Sequence, residues 1–161
     1  MIICHCFKRY QSSIISMISG GLPSEVNTIA NRNLENKGKD ALKHKESGNK
    51  EFKAKKYRRA ITEYSIGLDI KCDDDLLNVQ LLTNRAAAHF HLENFRGSLN
   101  DCKEALDIKK DHLKALKRGT FCLFKLKKTE ECIQWAKKAL KIDGNDAEMI
   151  EILRKCEKNQ K

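Results

Sequence analysis

Proline occurs once in this chain of 161 residues, at Pro23, and aromatic residues make up 6% of it against 34% charged. A chain so poor in helix breakers and so rich in charge is expected to be helical. No apolar run approaches the roughly 18 residues that a membrane-spanning helix requires, so no membrane partner is expected. The cysteines (Cys4, Cys6, Cys72, Cys102, Cys122, Cys132 and Cys156) are seven, with no C-x-x-C pair. An odd, scattered set argues against a disulfide framework and for reduced thiols. Only Cys4-His5-Cys6 brings metal-ligating side chains together, too few for a site, and neither metal nor cofactor is expected. Cysteine catalysis would need a histidine beside the thiol, and His44, His89, His91 and His112 show no such arrangement. The sequence therefore does not read as an enzyme. Its 32 Lys+Arg against 22 Asp+Glu give a net charge of +10, which attracts an anionic partner without saying which: nucleic acid, an anionic surface or an acidic peptide.

Three segments align: "AITEYSIGLDI" from Ala60, "SLNDCKEALDI" from Ser98 and "CIQWAKKALKI" from Cys132, starting 38 and then 34 residues apart. Their small and aliphatic positions form one helical stripe, and small residues let a neighbouring helix approach. Upstream of each lies a second helical pattern, and turns are expected near residues 54–57, 92–95 and 126–129. The 34-residue period is that of tetratricopeptide repeats. Asp40 and Asp111 are expected to cap the first helices of repeats one and three. Asp73, Asp74 and Asp75 are expected at the start of the third helix, and Gly144 at the end of the sixth. After it, Ala147, Ile150, Leu153 and Cys156 follow one another at near-helical spacing, as a terminal helix covering the last open face would require.

With Gly48, Ala86 and Thr120 set as equivalent positions, Lys45 and Asn49 lie one turn apart on the first helix. Asn84 then lies early on the third, and Lys114 and Arg118 one turn apart on the fifth. First helices of stacked hairpins line the concave side, so these five polar residues should converge on one groove. That placement accounts for an asparagine within the otherwise apolar "LLTNRAAAHFHL", where burying an unpaired amide would cost about 1–3 kcal/mol.

"KESGN" at Lys45–Asn49, "TNRAAA" at Thr83–Ala88 and "KALKRG" at Lys114–Gly119 resemble the carboxylate-clamp tetratricopeptide domains of co-chaperones. The resemblance covers about residues 40–158 and implies an all-α fold: a right-handed superhelix of three helical hairpins, at about residues 41–74, 79–112 and 113–146, with a capping helix at 146–158. It also implies a partner, the C-terminal Glu-Glu-Val-Asp peptide of heat-shock proteins 90 and 70. In that reading Lys45, Asn49 and Asn84 hold the terminal carboxylate, and Lys114 and Arg118 reach the aspartate side chain. Ala87, Phe90, His91, Phe121 and Phe124 form an apolar wall or simply pack helices. The expected protein is a monomeric cytoplasmic adaptor, with the nucleus as a second compartment. Nucleic-acid binding ranks below it, because Tyr57, Phe95 and Trp135 fall on packing positions instead of a stacking surface; a scaffold for another acidic peptide stays open. Similar proteins continue into a C-terminal domain while this chain stops at Lys161, so a short form or fragment is expected.

Residues 1–24 contain no acidic residue, five serines, Lys8 and Arg9. The composition resembles a mitochondrial presequence, but residues 1–35 are read as a poorly ordered extension.

Overall fold

The computed structural model describes residues 24–158, with side chains from Arg32 onward, and among them every regular element is an α-helix. The helices are α1 (Ser24–Lys53), α2 (Tyr57–Asp69), α3 (Asp75–His91), α4 (Phe95–Ile108), α5 (Leu113–Lys125), α6 (Thr129–Ile142) and α7 (Ala147–Lys158). Contact density divides the chain into Met1–Lys37 and Gly38–Lys161; the packing and the site described below belong to the second unit. There the part of α1 from Gly38 onward pairs with α2, α3 with α4 and α5 with α6, and α7 covers the end, the helical superhelix of a tetratricopeptide domain.

Each pair closes through the same turn. Lys55, Glu93 and Lys127 have φ of 59°, 56° and 57°, a left-handed conformation at the same point of all three hairpins. The next residue's N–H reaches back five residues (Lys56 to Glu51, Asn94 to His89, Lys128 to Leu123, each at 2.9 Å). The left-handed residue's own N–H reaches back three, to Phe52, Phe90 and Phe124. This is the Schellman ending, which satisfies the carbonyls orphaned at a helix C-terminus.

The aligned stripes are where the pairs pack. Ala60, Ser98 and Cys132 are fully buried. Ser98 Oγ donates to the Ala86 carbonyl at 2.8 Å, and Cys132 Sγ occupies the equivalent place against the Thr120 carbonyl at 3.5 Å. Gly48 and Gly119 let the rings of Tyr64 and Trp135 pack directly against α1 and α5, since a Cβ at either would collide with the ring. Repeats one and two are tied by Arg85, which donates to Asp101 through Nε (3.0 Å) and Nη2 (2.7 Å) and to Ser65 through Nη1 (3.0 Å). The bidentate pair compensates the burial of Asp101.

Several boundaries differ from the sequence reading. α1 begins at Ser24, so residues 24–35 are helical and Asp40 lies within the helix instead of capping it. After Pro23 nothing in "SEVNTIANRNLENKGKD" forces the chain out of a helix, and interior glycine is tolerated at about 1 kcal/mol. Residues 1–23, and with them the Cys4-His5-Cys6 cluster and the presequence-like stretch, lie outside the described residues. His112, not Asp111, caps α5: its Nδ1 accepts from Ala115 N–H at 3.3 Å. Asp74 does cap α3, accepting from Leu77 N–H at 2.9 Å. α6 ends at Ile142 with an extended Asp143, one residue ahead of Gly144. In α7 the buried positions are Met149, Ile152 and Cys156, while Ile150 is 48% exposed. Cys156 packs as expected, whereas Met149 and Ile152 take the buried places instead of Ile150 and Leu153; Asp146 caps the helix start, its Oδ1 accepting from Met149 N–H and its Oδ2 pairing with Lys117 at 2.6 Å.

Candidate functional site: a basic groove along the first helices

Three helices, α1, α3 and α5, bring the polar residues together. Asn84 lies ten residues beyond the Asp74 cap, in the middle of α3 and not in its first turn. Its Nδ2 donates to Asn49 Oδ1 at 3.0 Å, joining α1 to α3. Tyr64 OH donates to the same oxygen at 2.8 Å. Asn84, Lys114 and Arg118 line a groove of about 670 Å³ with Phe52, Ala87, Phe90, His91 and Phe121. Asn49 and Asn84 also line an adjoining hollow of about 150 Å³ together with Phe52, Tyr64 and Ala87.

The cations in this groove are held differently. Arg118 Nη1 donates to the Thr83 carbonyl at 3.1 Å, which parks the guanidinium beside Asn84 and leaves its other N–H groups for a ligand. Lys114 is exposed and has no ion pair or hydrogen bond among the described residues. Lys117, a third wall cation, is spent: Asp146 lies 2.6 Å from its Nζ and Glu148 3.6 Å. The close approach of Asp146 raises the Lys117 pKa, and the same ion pair holds the Asp146 carboxyl below its ordinary range. Glu148 therefore stands as the acidic edge of an otherwise basic groove.

Lys45 is placed apart from the other four. Its half-buried Nζ donates to Gln80 Oε1 at 2.8 Å, one turn before Asn84 on α3, and it lines neither hollow. Phe124 faces a different depression, with Lys125, Lys127, Thr129 and Cys156. Ala87, Phe90, His91 and Phe121 do line the groove. They also pack: His91 stacks on Tyr57 at 4.7 Å between centroids, and Phe90 meets Phe95 and Phe121 edge-on at 5.4 and 6.4 Å.

Sequence reasoning missed Tyr64, Gln80, Phe52, Lys117 and Glu148. For Gln80 a signal existed, since it precedes Asn84 by four residues and so shares its face. No group of three metal-ligating side chains occurs among the described residues. The described cysteines are all buried, and burial pushes the Cys102 and Cys132 thiols up to about 12, which removes the thiolate a nucleophile needs. No described helix is long and apolar enough to cross a membrane.

No family model matches the chain. Individual proteins do. It is 44% identical over 118 residues to mouse tetratricopeptide repeat protein 4, covering 73% of this chain and 31% of that protein. The chain thus spans about a third of the length of the curated relatives it matches. Among solved structures, the Hsp90 co-chaperone Cns1 of Saccharomyces cerevisiae superposes with a TM-score of 0.71 at 32% identity, over 77% of this chain and 40% of that one. The first TPR of Spaghetti (RPAP3) bound to HSP90 peptide SRMEEVD superposes with a TM-score of 0.67 at 36% identity, over 76% of this chain and 96% of that one. With the last of these matched over nearly its whole length in both sequence and fold, the chain belongs to the tetratricopeptide repeat family, among the relatives of tetratricopeptide repeat protein 4 and Cns1.

Proposed function

We propose that this domain is a non-enzymatic chaperone adaptor that captures the free C-terminal aspartate of an acidic peptide, namely the Glu-Glu-Val-Asp tail of heat-shock proteins 90 and 70. The observation that carries the proposal is the polarity of the groove. Asn49 Oδ1 accepts from both Tyr64 OH and Asn84 Nδ2, which leaves amide N–H groups facing outward, and Lys114 and Arg118 add cationic donors along the same first-helix face. A carboxylate accepts only, so a wall of N–H groups is its complement. In this reading Asn49 and Asn84 donate to the main-chain carboxylate, and Lys45 joins them by letting go of Gln80. Lys114 and Arg118 reach the aspartate side chain, with Ala87, Phe90, His91 and Phe121 beside the preceding apolar residue.

Similar domains support it. The first TPR of Spaghetti is seen with an HSP90 peptide, and the second TPR domain of human RPAP3 with HSP70 peptide SGPTIEEVD. The domain works as a monomer, in the cytoplasm and also the nucleus. Calorimetric titration with an octapeptide ending in Glu-Glu-Val-Asp, against a scrambled peptide of equal charge, tests the proposal. Selective, saturable binding of the native order is expected. Equal binding of both peptides, or of single-stranded nucleic acid with a steep salt dependence, would replace the adaptor with a general basic surface.

A further inference from the structure

We infer that Tyr64, a packing residue by its place in the repeat, is also the positioning residue that sets the polarity of this groove by holding the Asn49 amide with its NH2 group toward the ligand. The inference rests on the carboxylate reading above and deepens it. An asparagine amide has an accepting end and a donating end of nearly the same shape, and only the donating end suits a carboxylate. Nothing in Asn49 itself selects between them. Tyr64 does, because its ring is buried and its hydroxyl finds a single partner among the described residues, Asn49 Oδ1 at 2.8 Å. A phenol has one hydrogen, and in a buried place that hydrogen must meet an acceptor.

The oxygen then takes a second hydrogen bond from Asn84 Nδ2 at 3.0 Å. Both of its lone pairs are occupied, and Asn49 Nδ2 is left without a partner among the described residues, beside the hollow of about 150 Å³ that Tyr64 also lines. Gly48 makes the arrangement possible: with no Cβ in its way, the Tyr64 ring packs directly against α1, and its hydroxyl reaches the neighbouring Asn49. Burial pushes the phenol up to about 12, so it remains a donor throughout the working pH range.

A binding cycle with Tyr64→Phe, Asn49→Ala and the double variant tests this, using a Glu-Glu-Val-Asp octapeptide as free acid and as C-terminal amide. Tyr64→Phe keeps the ring and releases the amide. It should weaken the free acid by about five- to ten-fold and narrow the difference between acid and amide. Adding Tyr64→Phe to Asn49→Ala should change affinity by less than about two-fold, because the residue acts through Asn49. Asn49→Asp, which keeps Tyr64's acceptor but replaces the free NH2 with oxygen, should cost about ten-fold or more and serves if Tyr64→Phe melts too low to assay. Unchanged binding in Tyr64→Phe or Asn49→Asp, or a full additional loss in the Asn49→Ala background, overturns the inference while leaving the adaptor intact. A wild-type domain that binds neither peptide removes the adaptor reading and this inference with it.

Discussion

Lys114, Lys117 and Lys138 carry the same charge, yet their surroundings assign them different roles, and replacing each by alanine separates those roles. Lys114 stands exposed and unpaired, among the described residues, in the wall shared with Arg118. Losing it removes one charge-assisted bond to the ligand, worth about 1.5–3 kcal/mol. Its exposure places it at the weaker end, so binding should fall about ten-fold while stability stays within about 0.5 kcal/mol. Lys117 lies three residues on but is bound to Asp146, whose side chain is only 4% exposed. Breaking a buried pair costs about 3–5 kcal/mol, and the one-third exposure of Lys117 reduces that to about 1–2 kcal/mol of stability. Lys138, on α6, edges a separate depression with Leu106, Leu116 and Trp135. Its removal should leave peptide binding within about two-fold, as for a screened charge. Titration calorimetry with the octapeptide at two salt concentrations, paired with thermal melts, reads all three. If the three variants lose affinity equally, general charge governs binding and the assignment of Lys114 is wrong.

Gly119→Ala should destabilise by about 1–2 kcal/mol, the overpacking cost against Trp135 less about 1 kcal/mol of helix propensity, and lower the melting temperature by about 5–10 °C; an unchanged melt would mean that Trp135 does not pack directly on Gly119. Lys127→Gly should raise stability by up to about 1 kcal/mol in urea unfolding, since the left-handed residue costs a non-glycine about 1–2 kcal/mol and glycine returns part of that as entropy; a clear loss would refute the shared turn geometry. The Asp146 carboxyl is held low chiefly by Lys117, with the Met149 N–H assisting. Its contribution is therefore present above the ordinary aspartate range and lost as pH falls through about 4 and below. Wild type should be more stable than Asp146→Asn at pH 7, with the gap narrowing as pH falls below the ordinary aspartate range, and a gap that is independent of pH would contradict the pairing.

The architecture was legible because its signals repeat. The stripes from Ala60, Ser98 and Cys132 and the turns at 54–57, 92–95 and 126–129 are consequences of one hairpin used three times, so each copy corroborated the others. The start of α1 and the first buried positions of α7 sit at the ends, where no neighbouring repeat supplies a check. Of the site, Asn49, Asn84, Lys114 and Arg118 could be placed on the first-helix face from spacing alone. Spacing gives the face of a helix but not the far end of a long side chain, so Lys45 reaching Gln80 and Lys117 reaching Asp146 stayed hidden. Tyr64 escaped for another reason: its ring fills a packing position, and only the structure shows where its hydroxyl points.

The central claim is that a free carboxylate is what the groove recognises, and the most direct measurement is one titration performed twice, with a Glu-Glu-Val-Asp octapeptide and with the same peptide amidated at its C-terminus. Amidation leaves the sequence and apolar contacts unchanged and removes one acceptor group facing Asn49 and Asn84. The account predicts that the amide binds at least about ten-fold more weakly, one charge-assisted hydrogen bond or more. Equal affinity of the two peptides would contradict it.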